Sequence, residues 1–99
     1  MELARVEGTI VSTAKSERLQ GYKLLLLNLI NPDMKPTNSY VVAVDAVGAG
    51  DGEVVIVCRG SSARQAEKLT NVPTDASIIG IVDSVNFKGE TVFQKHKNK

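Results

Sequence analysis

Apolar and polar residues alternate along the first segment of the chain, residues 3–13. One face of this segment carries Ala4, Val6, Gly8 and Ile10, and the other carries Arg5, Glu7 and Thr9. A period of two is typical of a strand with one buried face. Because Gly8 lies inside this strand, we expect a bend or bulge there, as at the corner of a barrel.

Three later segments are apolar on both faces: residues 24–30, 40–44 and 54–58. Leucine favours helix, but the short first run lies between a glycine and a proline, which favours a strand. The second and third runs flank a segment with three glycines. Glycine permits sharp chain reversal, so these two runs predict a hairpin with a wide turn.

The rest of the pattern predicts one helix and two more strands. Ser62 and Gln65 have the spacing of a capping box, which predicts a short helix over residues 62–69. Residues 76–87 predict one long strand, and residues 90–93 predict a short final strand. Five or six strands with one short helix indicate an all-β fold, a small closed or nearly closed barrel, because closure removes exposed strand edges.

Composition fits one small globular domain of 99 residues, with 42% hydrophobic and 23% charged residues. We assign residues 1–93 to this domain and residues 94–99 to a basic polar tail. A net charge of +1 gives no electrostatic reason to expect nucleic acid or an anionic membrane as a partner. There is no apolar run that could span a membrane and no sign of a signal peptide, and a single cysteine fits a cytosolic location.

No residues combine into a catalytic, cofactor or metal site. Gly48, Gly50 and Gly52 have the GxGxG spacing of a phosphate-binding loop, but such a loop opens a helix and the segment that follows is strand-like. No histidine is placed to activate Ser61 or Ser62, so helix capping explains them better. One histidine and one cysteine argue against a transition-metal site. We therefore predict a protein that is not an enzyme and needs no cofactor.

The segments that are apolar on both faces predict an oligomer. Strands of a lone antiparallel barrel should be apolar inside and polar outside. One short helix cannot cover three such strands, and the exposed patch would be larger than monomers usually tolerate. Another copy of the chain is the simplest cover.

Five segments, in order, resemble blocks of the EutN/CcmL family of bacterial microcompartment vertex proteins. They are residues 4–15, 19–25, 42–53, 60–64 and 73–83. The most distinctive block reads Val-Ala-Val-Asp-Ala-Val-Gly-Ala-Gly-Asp-Gly-Glu. The resemblance spans nearly the whole chain.

This resemblance implies an OB-like β-barrel that assembles into a ring of five and caps the corners of a polyhedral shell in the bacterial cytoplasm. The role would be structural, with hexameric shell proteins of the flat facets as partners. Subunit contacts would involve Asp45, Gly48, Ala49, Gly50, Gly52, Glu53, Ser61, Ser62 and Arg64. The glycines would let two backbones approach where a Cβ would collide.

The alternative is an OB-fold that binds single-stranded nucleic acid. That use needs stacking aromatic residues and a basic groove. The chain has four aromatic residues, Tyr22, Tyr40, Phe87 and Phe93, and is almost neutral. We therefore expect no nucleic acid as a partner.

Overall fold

The structure is a computed structural model that describes residues 1–12, 17–19, 21–60 and 74–95. Within these ranges the chain is mainly β-strand, which confirms the predicted all-β class. The strands are β1 (Glu2–Ile10), β2 (Lys23–Ile30), β3 (Pro36–Asp45), β4 (Val54–Arg59), β5 (Ala76–Ile81), β6 (Ser84–Phe87) and β7 (Glu90–Gln94). A single 3₁₀ turn, Glu17–Leu19, precedes β2. The helix predicted over residues 62–69 lies outside the described residues.

Five strands close into a barrel in the order β1-β2-β3-β5-β4. All neighbouring pairs are antiparallel except β3 and β5, which are parallel. A closed five-stranded barrel in this order is OB-like, so the predicted fold is confirmed. The bulge expected in β1 is also present, because the register of β1 against β2 shifts between Val6 and Gly8.

The predicted hairpin between residues 40–44 and 54–58 is wrong. β3 and β4 are not paired, because β5 lies between them, parallel to β3 and antiparallel to β4. β4 pairs instead with β1, where Glu2 is opposite Val57 and Arg5 is opposite Val54. The glycine-rich segment therefore carries the chain past β5 and closes the barrel.

The single strand predicted over residues 76–87 is also wrong, because it breaks at Val82 and Asp83. The Val82 amide donates to the Val54 carbonyl at 2.8 Å, and the Asp83 carbonyl accepts from the Lys95 amide at 2.8 Å. β6 then leaves the barrel and pairs with β7 in a separate two-stranded sheet. The described residues thus contain seven strands, five of them in the barrel.

The strand ends differ from prediction by a few residues. β1 ends at Ile10, three residues early, and β3 begins at Pro36, four residues early. Proline is tolerated as the first residue of a strand because its missing N–H is not yet needed in the ladder. β7 extends through Gln94, the first residue that we had assigned to the tail.

The barrel interior is filled by inward-pointing side chains from all five strands. They are Ala4, Val6, Leu25, Leu27, Ala43, Val55, Val57, Ala76 and Ile78, together with Ala49 from the segment before β4. Alanines from β1, β3 and β5 lie among these larger residues, a combination of small and large side chains that suits the interior of a small barrel.

Much of the outward-facing apolar surface is covered by the chain itself. Val85 and Phe93 of the β6–β7 hairpin belong to a second apolar cluster, which has Ile30, Val54 and Val82 at its centre. Leu3 and Ile56 of the barrel pack against the same cluster. The 3₁₀ turn and the start of β2 cover Val44 in the same way. The area left for another copy of the chain to cover is therefore smaller than the sequence predicts, because the hairpin packs against the barrel.

One apolar strip of β3 stays open. Tyr40 is 58% exposed and Val42 is 45% exposed. They are two positions apart on the strand and therefore lie on the same face.

Candidate subunit interface

Residues 46–53, which we call the glycine loop, join β3 to β4 and form most of the first predicted contact region. Ala49 is fully buried in the barrel, whereas Gly48, Gly50 and Gly52 are exposed. Burial of Ala49 therefore fixes the middle of the loop, and the backbone of the glycines on either side of Ala49 is exposed.

Two of the three glycines are explained by backbone conformation. Gly48 and Gly52 both have φ of 82°, in the left-handed region that favours glycine. Gly50 lies outside that region, and among the described residues a Cβ there would meet only the Glu53 Oε1 atom, at an ordinary 3.7 Å. No backbone in the described part of the chain crowds these three glycines. Close approach between two chains therefore stays a prediction, and Gly50 is the position that best isolates it.

Asp45 holds the first half of the glycine loop. Its Oδ1 accepts hydrogen bonds from the amides of Val47 and Gly48, both at 3.0 Å, and its Oδ2 accepts from the Ala49 amide at 2.9 Å. Lys23, directly opposite on β2, lies 3.5 Å from Oδ2 and donates to the Ala49 carbonyl. The carboxylate is only 2% exposed, so Asp45 shapes the loop from within, as Ala49 does.

Glu53 holds the second half. Its Oε1 accepts from the Gly50 amide at 2.8 Å, and its Oε2 forms an ion pair with the Lys95 Nζ. The hydrogen bond from Lys95, followed by that from the Gly50 amide, lowers the pKa of Glu53 below its ordinary value, and the same pair raises the pKa of Lys95. The carboxylate therefore stays charged in the neutral range and keeps both partners.

β1 fixes the loop to the barrel. The Gly52 amide donates to the Val6 carbonyl and the Val6 amide donates to the Glu53 carbonyl, both at 2.9 Å. The Arg5 guanidinium also donates to the Gly52 carbonyl at 2.9 Å. These bonds continue the β1–β4 ladder into the loop.

The second predicted contact region begins at the other end of β4. Gly60 has φ of 76°, and its amide donates to the Asp75 carbonyl at 2.7 Å. Beside it, the Arg59 guanidinium donates two hydrogen bonds to the Glu2 carboxylate, of 2.7 and 3.1 Å. These bonds lower the pKa of Glu2 and raise the pKa of Arg59. The predicted contact residues Ser61, Ser62 and Arg64 lie outside the described residues.

Sequence reasoning missed the groups that hold the loop in place. The sequence pattern gives Lys23 no role, yet opposite charges at facing positions of adjacent strands are a usable signal once the register is known. Arg5 is predicted only as part of a polar face. Lys95 is predicted in the tail, although it follows β7 directly and bonds through both its amide and its side chain.

The nucleic-acid alternative finds no support in the barrel surface. Tyr22, Phe87 and Phe93 are half-buried, and only Tyr40 of the four aromatic residues is exposed. Successive bases need a row of exposed rings. Across the described ranges there is no group of three His, Cys, Asp or Glu side chains that could hold a metal ion, and no helix there is long and apolar enough to span a membrane.

Comparison with known proteins gives the same picture as the fold. The family model described as ethanolamine utilisation protein EutN/carboxysome matches residues 1–83. The carboxysome shell vertex protein CcmL of Synechocystis sp. is 44% identical over 95 residues, which cover 96% of this chain and 95% of that protein. The bacterial microcompartment shell vertex protein EutN of Escherichia coli K12 is 45% identical over 95 residues, covering 96% of this chain and all of that protein.

Solved structures agree with these relatives. The CcmL structure from Gloeobacter violaceus has a TM-score of 0.91 at 43% identity and covers 96% of this chain and 98% of its own. The structure of GrpN, a pentameric microcompartment shell protein from Rhodospirillum rubrum, has a TM-score of 0.80 at 49% identity and covers 88% of this chain and 99% of its own. The chain therefore belongs to the EutN/CcmL family, whose named relatives are shell vertex proteins.

Proposed function

We propose that this chain forms a ring of five identical subunits that caps the vertices of a bacterial microcompartment shell. The likeness to GrpN, described as pentameric, at 49% identity carries the proposal. Relatives of nearly equal length are named shell vertex proteins. The role is structural, without catalysis, in a shell within the bacterial cytoplasm. Hexameric shell proteins of the facets are the proposed partners.

The barrel has surfaces suited to such a ring. A ring needs a heterologous interface, in which one patch of a subunit meets a different patch of its neighbour. The glycine loop and the segment that begins at Gly60 lie at opposite ends of β4, so they can serve as two different patches of one subunit. The exposed strip of Tyr40 and Val42 adds apolar area that a neighbour could cover.

The proposed contacts divide into two kinds. Gly48, Gly50 and Gly52 are exposed and can touch a neighbour directly, and Glu53 lies at the edge of this surface. Asp45 and Ala49 are buried within the chain and would act by shaping the loop. Ser61, Ser62 and Arg64 complete the proposed set on sequence resemblance alone.

Counting subunits tests the ring. Native mass spectrometry at micromolar concentration should show five copies, and a clean monomer or another closed number would refute the proposal. Co-expression with hexameric shell proteins tests the vertex role, since closed polyhedral shells should form only when this chain is present. Closed shells in its absence would contradict that role.

Variants at two glycines test the contact site. Gly50→Val should disrupt the ring, yet it should leave the unfolding midpoint unchanged when parent and variant are compared as dissociated protomers. The reason is that the backbone conformation of Gly50 accepts a side chain. Gly52→Val should instead destabilise the protomer by about 1–2 kcal/mol, because φ there is left-handed. Gly50→Ala adds a single Cβ and serves as the milder probe. Intact pentamers of Gly50→Val would exclude a close contact at this residue.

A further inference from the structure

The glycine loop is held in its two halves by different parts of the chain. Asp45, at the end of β3, bonds the amides of residues 47–49 and so holds the first half from its own segment. The second half, residues 50–53, is held from elements that are distant in sequence. Its supports come from β1 and from the end of β7.

Lys95, which directly follows β7, provides the first support. Its ammonium binds Glu53 Oε2, while Oε1 of the same carboxylate accepts the Gly50 amide. Lys95 is itself fixed, because its amide donates to the Asp83 carbonyl at 2.8 Å. Both side chains are partly shielded, with 30% of Lys95 and 22% of Glu53 exposed. A partly desolvated pair of this kind is weakened less by salt than a fully exposed one.

Phe93 provides the second support. Its ring lies under the Arg5 guanidinium, whose carbon is 5.9 Å from the ring centroid, and Arg5 donates to the Gly52 carbonyl. Phe93 also packs among the apolar residues between the hairpin and the barrel, with Ile56, Val54 and Val85. The ring therefore restricts Arg5, and through it the position of the Gly52 carbonyl.

Phe93 lies in β7, and Lys95 directly follows the last residue of that strand. The end of the hairpin therefore meets the loop at two points, Gly50 through Glu53 and Gly52 through Arg5. We infer that the C-terminal strand holds residues 50–53 in the conformation that the ring contact needs, so that the hairpin acts as a positioning element for assembly. This inference rests on the proposed ring.

A charge reversal at Lys95 tests this inference. Lys95→Glu replaces the ion pair with two facing carboxylates, whereas Lys95→Met keeps the apolar stem and removes only the charge. Lys88→Glu is the matched control, since Lys88 lies in the turn of the same hairpin and contacts the Phe87 ring. All three are compared with the parent by amide hydrogen exchange and by native mass spectrometry.

At a concentration where every variant is assembled, exchange in residues 50–53 should become about threefold to tenfold faster in Lys95→Glu, the change expected from losing one partly exposed ion pair and gaining a repulsion. Lys95→Met should show a smaller change in the same residues. Residues 47–49 should keep the parent rate, because Asp45 holds them independently. Lys88→Glu should match the parent throughout.

The stability of the ring of subunits should also change in the Lys95 variants. On dilution, Lys95→Glu should dissociate at a protein concentration about tenfold or more above that of Lys88→Glu, because every subunit contact carries the change. Unchanged exchange in residues 50–53 would overturn the inference, and so would faster exchange with an unchanged dissociation concentration. A parent protein that is never a ring would refute the proposed function instead, and the exchange comparison would then still report whether β7 holds the loop.

Discussion

Asp45→Asn should destabilise the protein far more than a substitution of one oxygen by nitrogen usually does. In the native chain the two carboxylate oxygens accept three backbone amides, those of Val47, Gly48 and Ala49. The side chain is 2% exposed, and its Oδ2 also lies 3.5 Å from the Lys23 ammonium. An asparagine has only one acceptor oxygen for this set of donors.

The expected cost follows from which donor loses its partner. With its oxygen facing Val47 and Gly48, the asparagine amide group would point its own hydrogens at the Ala49 amide. Ala49 is fully buried, so its N–H cannot turn to water, and an unsatisfied buried donor costs about 1–3 kcal/mol. The surviving bonds also lose their charge, which roughly halves their strength. Together these effects predict a loss of about 2–4 kcal/mol.

Urea unfolding measures this loss, at one fixed protomer concentration because assembly would add a concentration-dependent term. Asp33→Asn is the control, since among the described residues Asp33 accepts a single, exposed bond from the Lys35 amide. It should change the free energy of unfolding by less than about 0.5 kcal/mol. If Asp45→Asn unfolds at the same urea concentration as Asp33→Asn, the carboxylate does not organise the loop, and the reasoning is refuted.

Three further outcomes are expected. Leu27→Ala removes a fully buried side chain from the barrel and should lower the free energy of unfolding by about 2–5 kcal/mol, measured by denaturant titration. The pKa of Glu53 lies below its ordinary value of 4.5, chiefly because of the hydrogen bond from Lys95. The stability that the charged Glu53 side chain adds to the folded state is therefore complete above pH 4.5 and is lost as the pH falls below it. Melting temperatures of the parent and Glu53→Gln should therefore differ at neutral pH and converge in acid, and a gap that persists in acid would contradict this. Tyr40→Ser combined with Val42→Thr should leave protomer stability nearly unchanged and weaken the ring in sedimentation velocity, whereas unchanged sedimentation would exclude this strip from the interface.

Local patterns were sufficient for most strands because burial repeats with the period of the strand. Residues 3–10 alternate, and β1 buries Ala4 and Val6 while Glu7 is exposed. The leucine run of β2 is apolar on both faces because one face packs inside the barrel and part of the other packs outside it. Leu25 and Leu27 point into the barrel, whereas Leu24 packs outside it with Val44.

Strand pairing could not be read in the same way. The glycine loop has the composition of a hairpin turn, yet nothing within it encodes that β5 will lie beside both β3 and β4. That choice depends on contacts between distant residues, such as Val44 with Ser77 and Val57 with Ile78. The break at Val82 and Asp83 also lies among bonds to distant residues, since the Val82 amide donates to the Val54 carbonyl and the Asp83 carbonyl accepts from the Lys95 amide.

The candidate site was predicted where its residues are local and missed where they are not. Asp45 and Glu53 were placed in it, and each caps amides within four residues of itself. Lys95 is 42 positions beyond Glu53, and Arg5 meets Gly52 across 47 positions. Such partners emerge only from the closed barrel with its hairpin in place.

The placement of β5 between β3 and β4 makes the hairpin prediction wrong, and it also produces the exposed loop of the proposed interface. Inserting β5 between β3 and β4 separates those strands by two inter-strand spacings, about 10 Å, which a two-residue turn cannot span. The connection is therefore a longer loop, and with three glycines among its residues it offers few side chains to stabilise itself. Carboxylates at both ends and a cation from β1 supply that order instead. The topology that closes the barrel thus also leaves an ordered, exposed strip of backbone at its end, which is the kind of surface that a second subunit can approach closely.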